Sequence, residues 1–156
     1  MKQLLLSLTI LGCILLSSCD SNNNPTDVVI PIPITNFVKA EINGVNVAFN
    51  QTNVVKQEIT NNGVTYTDLI VSANKQNEIS PQIVFKLAYM ETGPDTCYYF
   101  LYEVDDVEYD IETGNSFDIN ITQSTANNIK GTYSGTLSDF NGDTATVTNG
   151  TFDITF

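Results

Sequence analysis

The sequence of 156 residues contains no histidine, no arginine and no tryptophan, and each absence removes a class of chemistry. Without histidine there is no Ser-His-Asp triad, no Cys-His pair and no imidazole ligand for a metal. Without arginine there is no guanidinium group to bind a phosphate or carboxylate through two parallel hydrogen bonds. We therefore expect a protein that is not an enzyme and that carries no organic cofactor.

The charge balance excludes a second class of function. Six lysines oppose 18 acidic residues, which gives a net charge of −12. Such a surface repels the phosphates of DNA and RNA, whose binding depends on neutralisation by cationic side chains. The sequence therefore predicts no nucleic-acid partner.

The first residues are typical of an export signal. Lys2 supplies a positive start, and residues 4–16 form an uncharged apolar run that is too short to span a bilayer. The run ends in Leu16, Ser17, Ser18 and Cys19, which resembles the bacterial lipobox. That resemblance implies cleavage after Ser18, a diacylglyceryl group on the Cys19 thiol and an acylated (palmitate-type) amino terminus. An ordinary secretory signal cut near Ser18 is the alternative.

The remaining cysteines leave no disulfide to form. Cys13 lies within the predicted signal and Cys19 is consumed by the lipid, so Cys97 is left alone. No histidine is present to activate its thiol, and we expect Cys97 to be a small buried apolar residue.

Three segments follow from these patterns. Residues 1–18 are predicted to be the lipoprotein signal peptide, and residues 19–36 the lipidated cysteine with a polar, disordered tether. Pro31 and Pro33 favour an extended path at the end of that tether. Residues 37–156 have the size of one domain with one core.

The residue pattern of the domain is typical of a β protein. Valine, isoleucine, tyrosine and phenylalanine recur at alternate positions between turn residues. We expect an all-β, antiparallel β-sandwich or flattened barrel of about eight to ten strands, preceded by a signal helix and the tether. Phe100, Val104, Val107 and Ile111 also fit a helical spacing, so the structure of this segment is left open.

Asn-Gly pairs predict the hairpins. Asn43-Gly44 favours a two-residue turn that pairs Ile42 with Val45 and continues the pairing through residues 38–49. Asn62-Gly63 predicts a second hairpin, between strands near residues 54–60 and 64–73. The apolar parity changes inside its second strand, which predicts a bulge near Thr67 and Asp68.

The closing strands follow the same alternation. Ile129, Tyr133 and Leu137 share one face, and we expect Gly131 and Gly135 to leave room beside the Tyr133 ring. In the last strand the parity changes across Asn149-Gly150. A bulge in one long strand is favoured there over a second hairpin.

The two ends of the domain are similar to those of a family of small Bacteroidota lipoproteins of unknown function. The opening segment, residues 37–45, reads FVKAEINGV, and the closing one combines GTYSGT at residues 131–136 with TNGTF at residues 148–152. The resemblance implies an all-β fold and a lipid-anchored place at the outer membrane, on its periplasmic or surface face. It brings no catalytic residues.

An acidic run at residues 103–112 is the first candidate site. On a strand, Glu108, Asp110 and Glu112 share one face, and carboxylates are the ligands that Ca²⁺ prefers. Their spacing of about 7 Å along a strand is wide for one cation. A solvated edge or loop that discourages strand pairing is therefore favoured, a cation site is the alternative, and paired-carboxylate catalysis is a lesser one.

Three smaller signals remain. Residues 139–143 place oxygen-bearing side chains at alternate positions but fail the calcium-loop pattern, so a hairpin turn is expected there. Thr144, within Asp-Thr-Ala, resembles the acceptor of O-glycosylation in Bacteroidota envelope proteins. Tyr98 and Tyr102, on one face of a strand, could stack on sugars, but carbohydrate sites prefer tryptophan, which is absent, and tyrosines with solvated hydroxyls on a sheet are the favoured interpretation.

Together these patterns predict a lipid-anchored binding or structural module of the cell envelope. Its partner is left open among an envelope protein, a glycan and a small ligand, and Ca²⁺ is the possible cofactor. The alternative is a carrier that encloses a small apolar ligand in a closed β-barrel.

The anchor is directly testable. Cys19→Ser removes the thiol that accepts the lipid, and several acyl chains are what gives durable membrane attachment. We expect the variant to move from the membrane fraction to the soluble fraction on ultracentrifugation of lysed cells. A variant retained in the membrane would contradict the lipid anchor.

Overall fold

The computed structural model describes residues 36–111 and 116–156, and within them the chain forms an all-β, antiparallel fold. The strands are β1 (Phe37–Ile42), β2 (Val45–Phe49), β3 (Gln51–Asn61), β4 (Val64–Asn74), β5 (Gln82–Ala88), β6 (Cys97–Val104), β7 (Val107–Asp110), β8 (Phe117–Ser124), β9 (Asn128–Ser138) and β10 (Thr144–Thr155). A short 3-10 turn, Pro94–Thr96, precedes β6. The predicted fold class and strand number are confirmed, whereas the predicted signal peptide and nearly all of the tether lie outside the described residues.

All ten strands belong to one sheet. Their order is β2-β1-β10-β9-β7-β6-β5-β4-β3, and β8 pairs with β9 beside this path. β7 reaches β9 through a single pair, Asp110 with Ser138, because β8 covers most of that edge of β9. The two ends of the order, β2 and β3, are joined along the chain by Asn50 alone.

The sheet curls so that its apolar face encloses the core. Three strands lie between β5 and β10 in the order, yet the ring centroids of Phe85 on β5 and Phe152 on β10 are 5.0 Å apart. Phe100 packs on Tyr133 at 5.0 Å and on Phe117 at 4.7 Å. These five rings fill the interior at separations typical of favourable aromatic packing.

Glycines make room for this aromatic cluster, in a different arrangement from the predicted one. A Cβ on Gly131 would stand 2.5 Å from Cζ of Phe152, and one on Gly150 would stand 2.5 Å from Cδ2 of Tyr133. Gly135 instead lets β9 approach the backbone of Ser116. The expectation that Gly131 and Gly135 accommodate Tyr133 is therefore wrong, because Gly150 on the neighbouring strand does so.

The predicted hairpins are confirmed in their turns and registers. Ile42 pairs with Val45 around the Asn43-Gly44 turn, and both turn residues have positive φ, 49° and 80°. Asn62-Gly63 forms the second turn in the same way, with φ of 50° and 79°. Positive φ at both central residues defines the type I′ turn, which asparagine and glycine tolerate best.

The bulge predicted near Thr67 and Asp68 is absent, since β3 and β4 pair without interruption over their whole length. The change of parity has another cause. β5 pairs with β4 only from Asp68 onward, so the end of the β3–β4 hairpin extends past its neighbour. Val64 and Tyr66 lie on this extension and remain 66% and 45% exposed.

The segment left open between helix and strand forms the β6–β7 hairpin. Val104 pairs with Val107 across a two-residue turn of Asp105 and Asp106, whose φ angles are 52° and 64°. Aspartate is one of the few residues other than glycine that adopts this conformation readily. The predicted bulge in the last strand is confirmed, because the register of β10 on β9 shifts between Val147 and Gly150.

Lys56 connects the edge strand β3 to residues that lie beyond the ends of other strands. Its Nζ donates to the Ala126 carbonyl at 2.9 Å and to the Tyr89 hydroxyl at 3.1 Å. The same ammonium lies 5.0 Å from the ring centroid of Phe156, beyond the end of β10. One cation thus connects β3, the β5 end, the β8–β9 turn and the end of β10.

The steric requirement at Gly131 gives a stability prediction. Gly131→Ala places a methyl group against Phe152 and the Asn120 carbonyl, and overpacking of this kind costs about 1–3 kcal/mol. Thr132→Val, at the exposed neighbouring position, is the matched control and should change stability by less than about 0.5 kcal/mol. Denaturant unfolding measures both, and equal stability of the two variants would contradict the packing described.

Candidate binding site

A bulge in β6 sets the direction of its tyrosines. Lys86 of β5 pairs with Tyr99 and the next residue, Leu87, pairs with Cys97, so Tyr98 is an extra residue in β6. Cys97 packs against the core, whereas Tyr98 is 55% exposed on the outer face. A β-bulge redirects side chains in this way.

The bulge overturns one prediction made from alternation. Tyr102 is 7% exposed and lies in the core, stacked on Tyr109 at 6.1 Å between ring centroids. Tyr98 and Tyr102 therefore lie on opposite faces of the sheet. The alternation of side chains along the sequence gives no sign of this additional residue.

β4 contributes a second exposed tyrosine and a buried acid to the outer face. Tyr66 and Asp68 have the same parity, opposite to that of the core residue Leu69. Asp68 is only 4% exposed although it faces outward. It pairs with Ala88 of β5.

These residues form a concave site on the outer face that we call the tyrosine cleft. It has a volume of about 390 Å³ and spans four neighbouring strands. Its lining consists of Gln57 and Ile59 from β3, Tyr66 and Asp68 from β4, Lys86 from β5 and Tyr98 from β6. The site thus combines two exposed aromatic rings with one carboxylate, one ammonium and one amide.

The electrostatics of the cleft centre on Tyr98 and Asp68. Desolvation raises the pKa of the Tyr98 hydroxyl above its usual range, and the nearby Asp68 carboxylate raises that pKa further. Tyr98 is therefore neutral at physiological pH and keeps a proton to donate. Lys86 is held alongside, with its Nζ 5.0 Å from the ring centroid of Tyr99.

Cys97 lies beneath this face and does not present a reactive thiolate. Burial raises its pKa to about 11, and its Sγ donates to the Tyr99 carbonyl at 3.4 Å. A thiol with such a pKa is protonated at neutral pH and is a poor nucleophile.

The acidic run occupies the β6–β7 hairpin. Glu108 and Asp110 are both exposed and share the outer face of β7, as predicted, and Glu108 pairs with Glu103. Glu103 in turn accepts a hydrogen bond of 2.5 Å from Nε2 of Gln82. Glu112 lies outside the described residues. Across residues 36–111 and 116–156, no three acidic or cysteine side chains converge on a common point, and Ca²⁺ binding stays a prediction.

The loop at residues 139–143 is a hairpin connection stabilised by hydrogen bonds among its own residues. Oδ1 of Asp139 accepts from the backbone N–H groups of Asn141 at 2.9 Å and Asp143 at 2.7 Å, and Oδ2 accepts from the Asn141 amide. The Asp139 carboxylate therefore organises the hairpin turn, and Phe140 at its tip is fully exposed.

The two predicted modification sites differ in what the structure describes. Thr144 is the first residue of β10 and is exposed, and its glycosylation stays a prediction. Cys19 lies outside the described residues, and its lipidation likewise stays a prediction. Within residues 36–111 and 116–156, no helix has the length and apolar character needed to cross a membrane.

Comparison with known proteins assigns neither a family nor a function to this chain. No protein-family model, no curated protein and no solved structure matches this chain. The similarity to the Bacteroidota lipoproteins therefore stays a prediction, and functional inference depends on the geometry of the site.

Sequence reasoning missed most of the tyrosine cleft. Tyr98 was recognised as a candidate, but Tyr66, Asp68 and Lys86 were not. The available signal was the parity of Val64 and Tyr66, which is opposite to that of the core residues Leu69 and Val71. A bulge was inferred there, whereas exposed aromatic surface was the correct interpretation.

The Asp139 loop gives a prediction of pH dependence. Burial alone would raise the Asp139 pKa, but the hydrogen bonds from Asn141, Asp143 and Gly142 together lower it below its usual value of 3.8. Because the folded-state pKa is lowered, its stabilisation is complete above pH 3.8 and is lost as pH falls through the folded pKa.

Asp139→Asn should therefore lower the melting temperature at neutral pH, and the difference from the unmodified chain should shrink as the pH falls below about 4. Asp118→Asn, at an exposed position on β8, is the matched control and should have little effect at either pH. A difference for Asp139→Asn that persists unchanged at pH 2 would contradict the charge-dependent role.

Proposed function

We propose that the protein is a non-enzymatic binding module, held at the outer membrane by a lipid on Cys19, whose ligand occupies the tyrosine cleft. The observation that carries this proposal is the arrangement of Tyr66 and Tyr98 around Asp68. Two large rings are exposed on adjacent parts of one sheet, beside a carboxylate that is almost fully buried. Binding sites typically combine apolar surface with a few fixed polar groups in this way.

Strand pairing sets the backbone of most of the cleft. Most of its residues come from the mutually paired parts of β3 to β6, whereas Ile59 and Tyr66 lie on the part of the β3–β4 hairpin that extends past β5. Tyr98 is aimed outward by the β6 bulge rather than by a loop, and such preorganisation lowers the entropic cost of association. Exposed aromatic residues on a preorganised surface are therefore well suited to recognition.

The interior of the sheet favours a binding module over the alternative of an apolar carrier. A carrier needs a continuous cavity large enough for its ligand. Here Phe49, Phe85, Phe100 and Phe152 occupy the core, each 2% exposed or less. Close contact among these rings is the packing of a filled core.

The chemistry of the cleft supports binding without catalysis. Asp68 is the one carboxylate among the residues that line it, whereas glycosidase chemistry uses a pair flanking the bond. Cys97 is neutral and turned toward the core, so it does not supply a nucleophile to the outer face. What the cleft offers is stacking surface and hydrogen bonding.

Hydroxyl-radical footprinting tests whether the cleft is occupied in the native setting. The labelling of Tyr66 and Tyr98 is measured by mass spectrometry in intact envelopes of the cells that make the protein, and again in purified protein. We expect severalfold lower labelling of both tyrosines in envelopes, because a bound ligand excludes water from the rings.

Phe140 and Ile79 are internal controls, since they are 100% and 85% exposed and do not line the cleft. Their labelling should be the same in both samples. Equal labelling of Tyr66 and Tyr98 in envelopes and in purified protein would contradict binding at the cleft.

A further inference from the structure

The aromatic part of the tyrosine cleft narrows the class of its ligand. Tyr66 and Tyr98 present ring surface to solvent, and Ile59 extends that surface along β3. Such rings pack against flat, weakly apolar groups while their hydroxyls remain in contact with polar neighbours. The C–H face of a sugar ring has this character, with hydroxyl groups projecting around its edge.

The polar part of the cleft matches the edge of a sugar. The Asp68 carboxylate accepts hydrogen bonds, the Lys86 ammonium donates them, and the Gln57 amide does both. Sugar hydroxyls also donate and accept, so each of these groups finds a partner. A linear hydrocarbon or a lipid tail would form no hydrogen bond with any of the three and would displace water from their polar groups, at a cost in free energy.

Asp68 is the strongest indication of a polar ligand. It is 4% exposed, it lines the cleft, and it forms a hydrogen bond with the Tyr98 hydroxyl. A carboxylate has about four acceptor positions, and one tyrosine hydroxyl uses one of them. A ligand hydroxyl group that reaches the exposed edge of this carboxylate would add a further hydrogen bond.

The charge of the protein favours a neutral ligand over an anionic one. The cleft holds one acid and one lysine, so its own charges balance, while the chain as a whole carries −12. An anionic ligand would approach against that field, and no arginine is present to bind it by two hydrogen bonds. A neutral ligand meets no such barrier.

We infer that the tyrosine cleft binds a neutral carbohydrate chain, with Tyr66 and Tyr98 stacking on sugar rings and Asp68 accepting hydrogen bonds from their hydroxyls. This inference rests on the proposed binding function of the same cleft. It predicts a site that holds a sugar without cleaving it.

Tyrosine fluorescence gives a direct readout, because the chain has no tryptophan to mask it. The full chain is kept in a non-glycosidic detergent and titrated with maltohexaose, cellohexaose and chitohexaose, and with hyaluronan hexasaccharide as the anionic probe. We expect one or more of the neutral oligosaccharides to change the emission saturably, with calorimetry giving the same affinity, and no response to hyaluronan.

Variants assign the response to the cleft. Tyr98→Ala should weaken binding about tenfold, since it removes one stacking partner, whereas Tyr98→Phe should keep most of the affinity. Asp68→Asn should also weaken binding, because an ionised acceptor forms the stronger hydrogen bonds. Phe140→Ala removes an exposed ring outside the cleft and should bind as the unmodified chain does. Circular dichroism and melting temperature confirm that each variant is folded.

Three results would overturn the inference: no response to any neutral oligosaccharide, binding unaffected by Tyr98→Ala, or equal binding of hyaluronan. If these occur while footprinting still shows Tyr66 and Tyr98 protected in envelopes, the ligand is of another class, such as a peptide, and the proposed binding function stands. If footprinting also shows no protection, both proposals fail.

Discussion

The packing of five aromatic rings inside one curled sheet is the interaction on which the rest of the structure depends. A single sheet buries its apolar face only by closing on itself, and here Phe85 meets Phe152 across the interior although three strands separate them in the sheet. The curl requires glycine where rings cross strands, as at Gly131 and Gly150. It also turns the opposite face of β3 to β6 outward, and that outward surface carries the tyrosine cleft.

Local features of the fold were predictable because their causes are local. The Asn43-Gly44 and Asn62-Gly63 turns need positive φ, and alternation then determines the register that follows. The non-local pairings were not predictable in this way. Nothing in residues 144–155 alone indicates that β10 lies between β1 and β9, since that position is decided by packing among strands far apart in sequence. The Asp105-Asp106 turn was missed because its spacing also fits a helix.

The candidate site was harder to predict than the fold, and the reason is the β6 bulge. Alternation places Tyr98 with Tyr102, but one additional residue in the strand reverses the direction of everything before it. As a result Tyr98 joins Tyr66, a residue 32 positions earlier, on a surface that neither strand defines alone. The acidic run, the most conspicuous pattern in the sequence, proved to be a hairpin whose exposed carboxylates Glu108 and Asp110 keep β7 polar. The composition of a segment shows where charge lies, whereas the geometry of a binding site depends on the register of its strands.

The central claim is that the β6 bulge turns Tyr98 outward to form a cleft with Tyr66. Photochemically induced nuclear polarisation with a flavin dye tests it most directly, because only tyrosine rings that the dye reaches give polarised signals. The account predicts strong polarisation of Tyr66 and Tyr98 and none of Tyr102 or Tyr133, which are 7% and 2% exposed. Polarised Tyr102 with silent Tyr98 would mean that β6 alternates without a bulge, and the cleft described above would not exist.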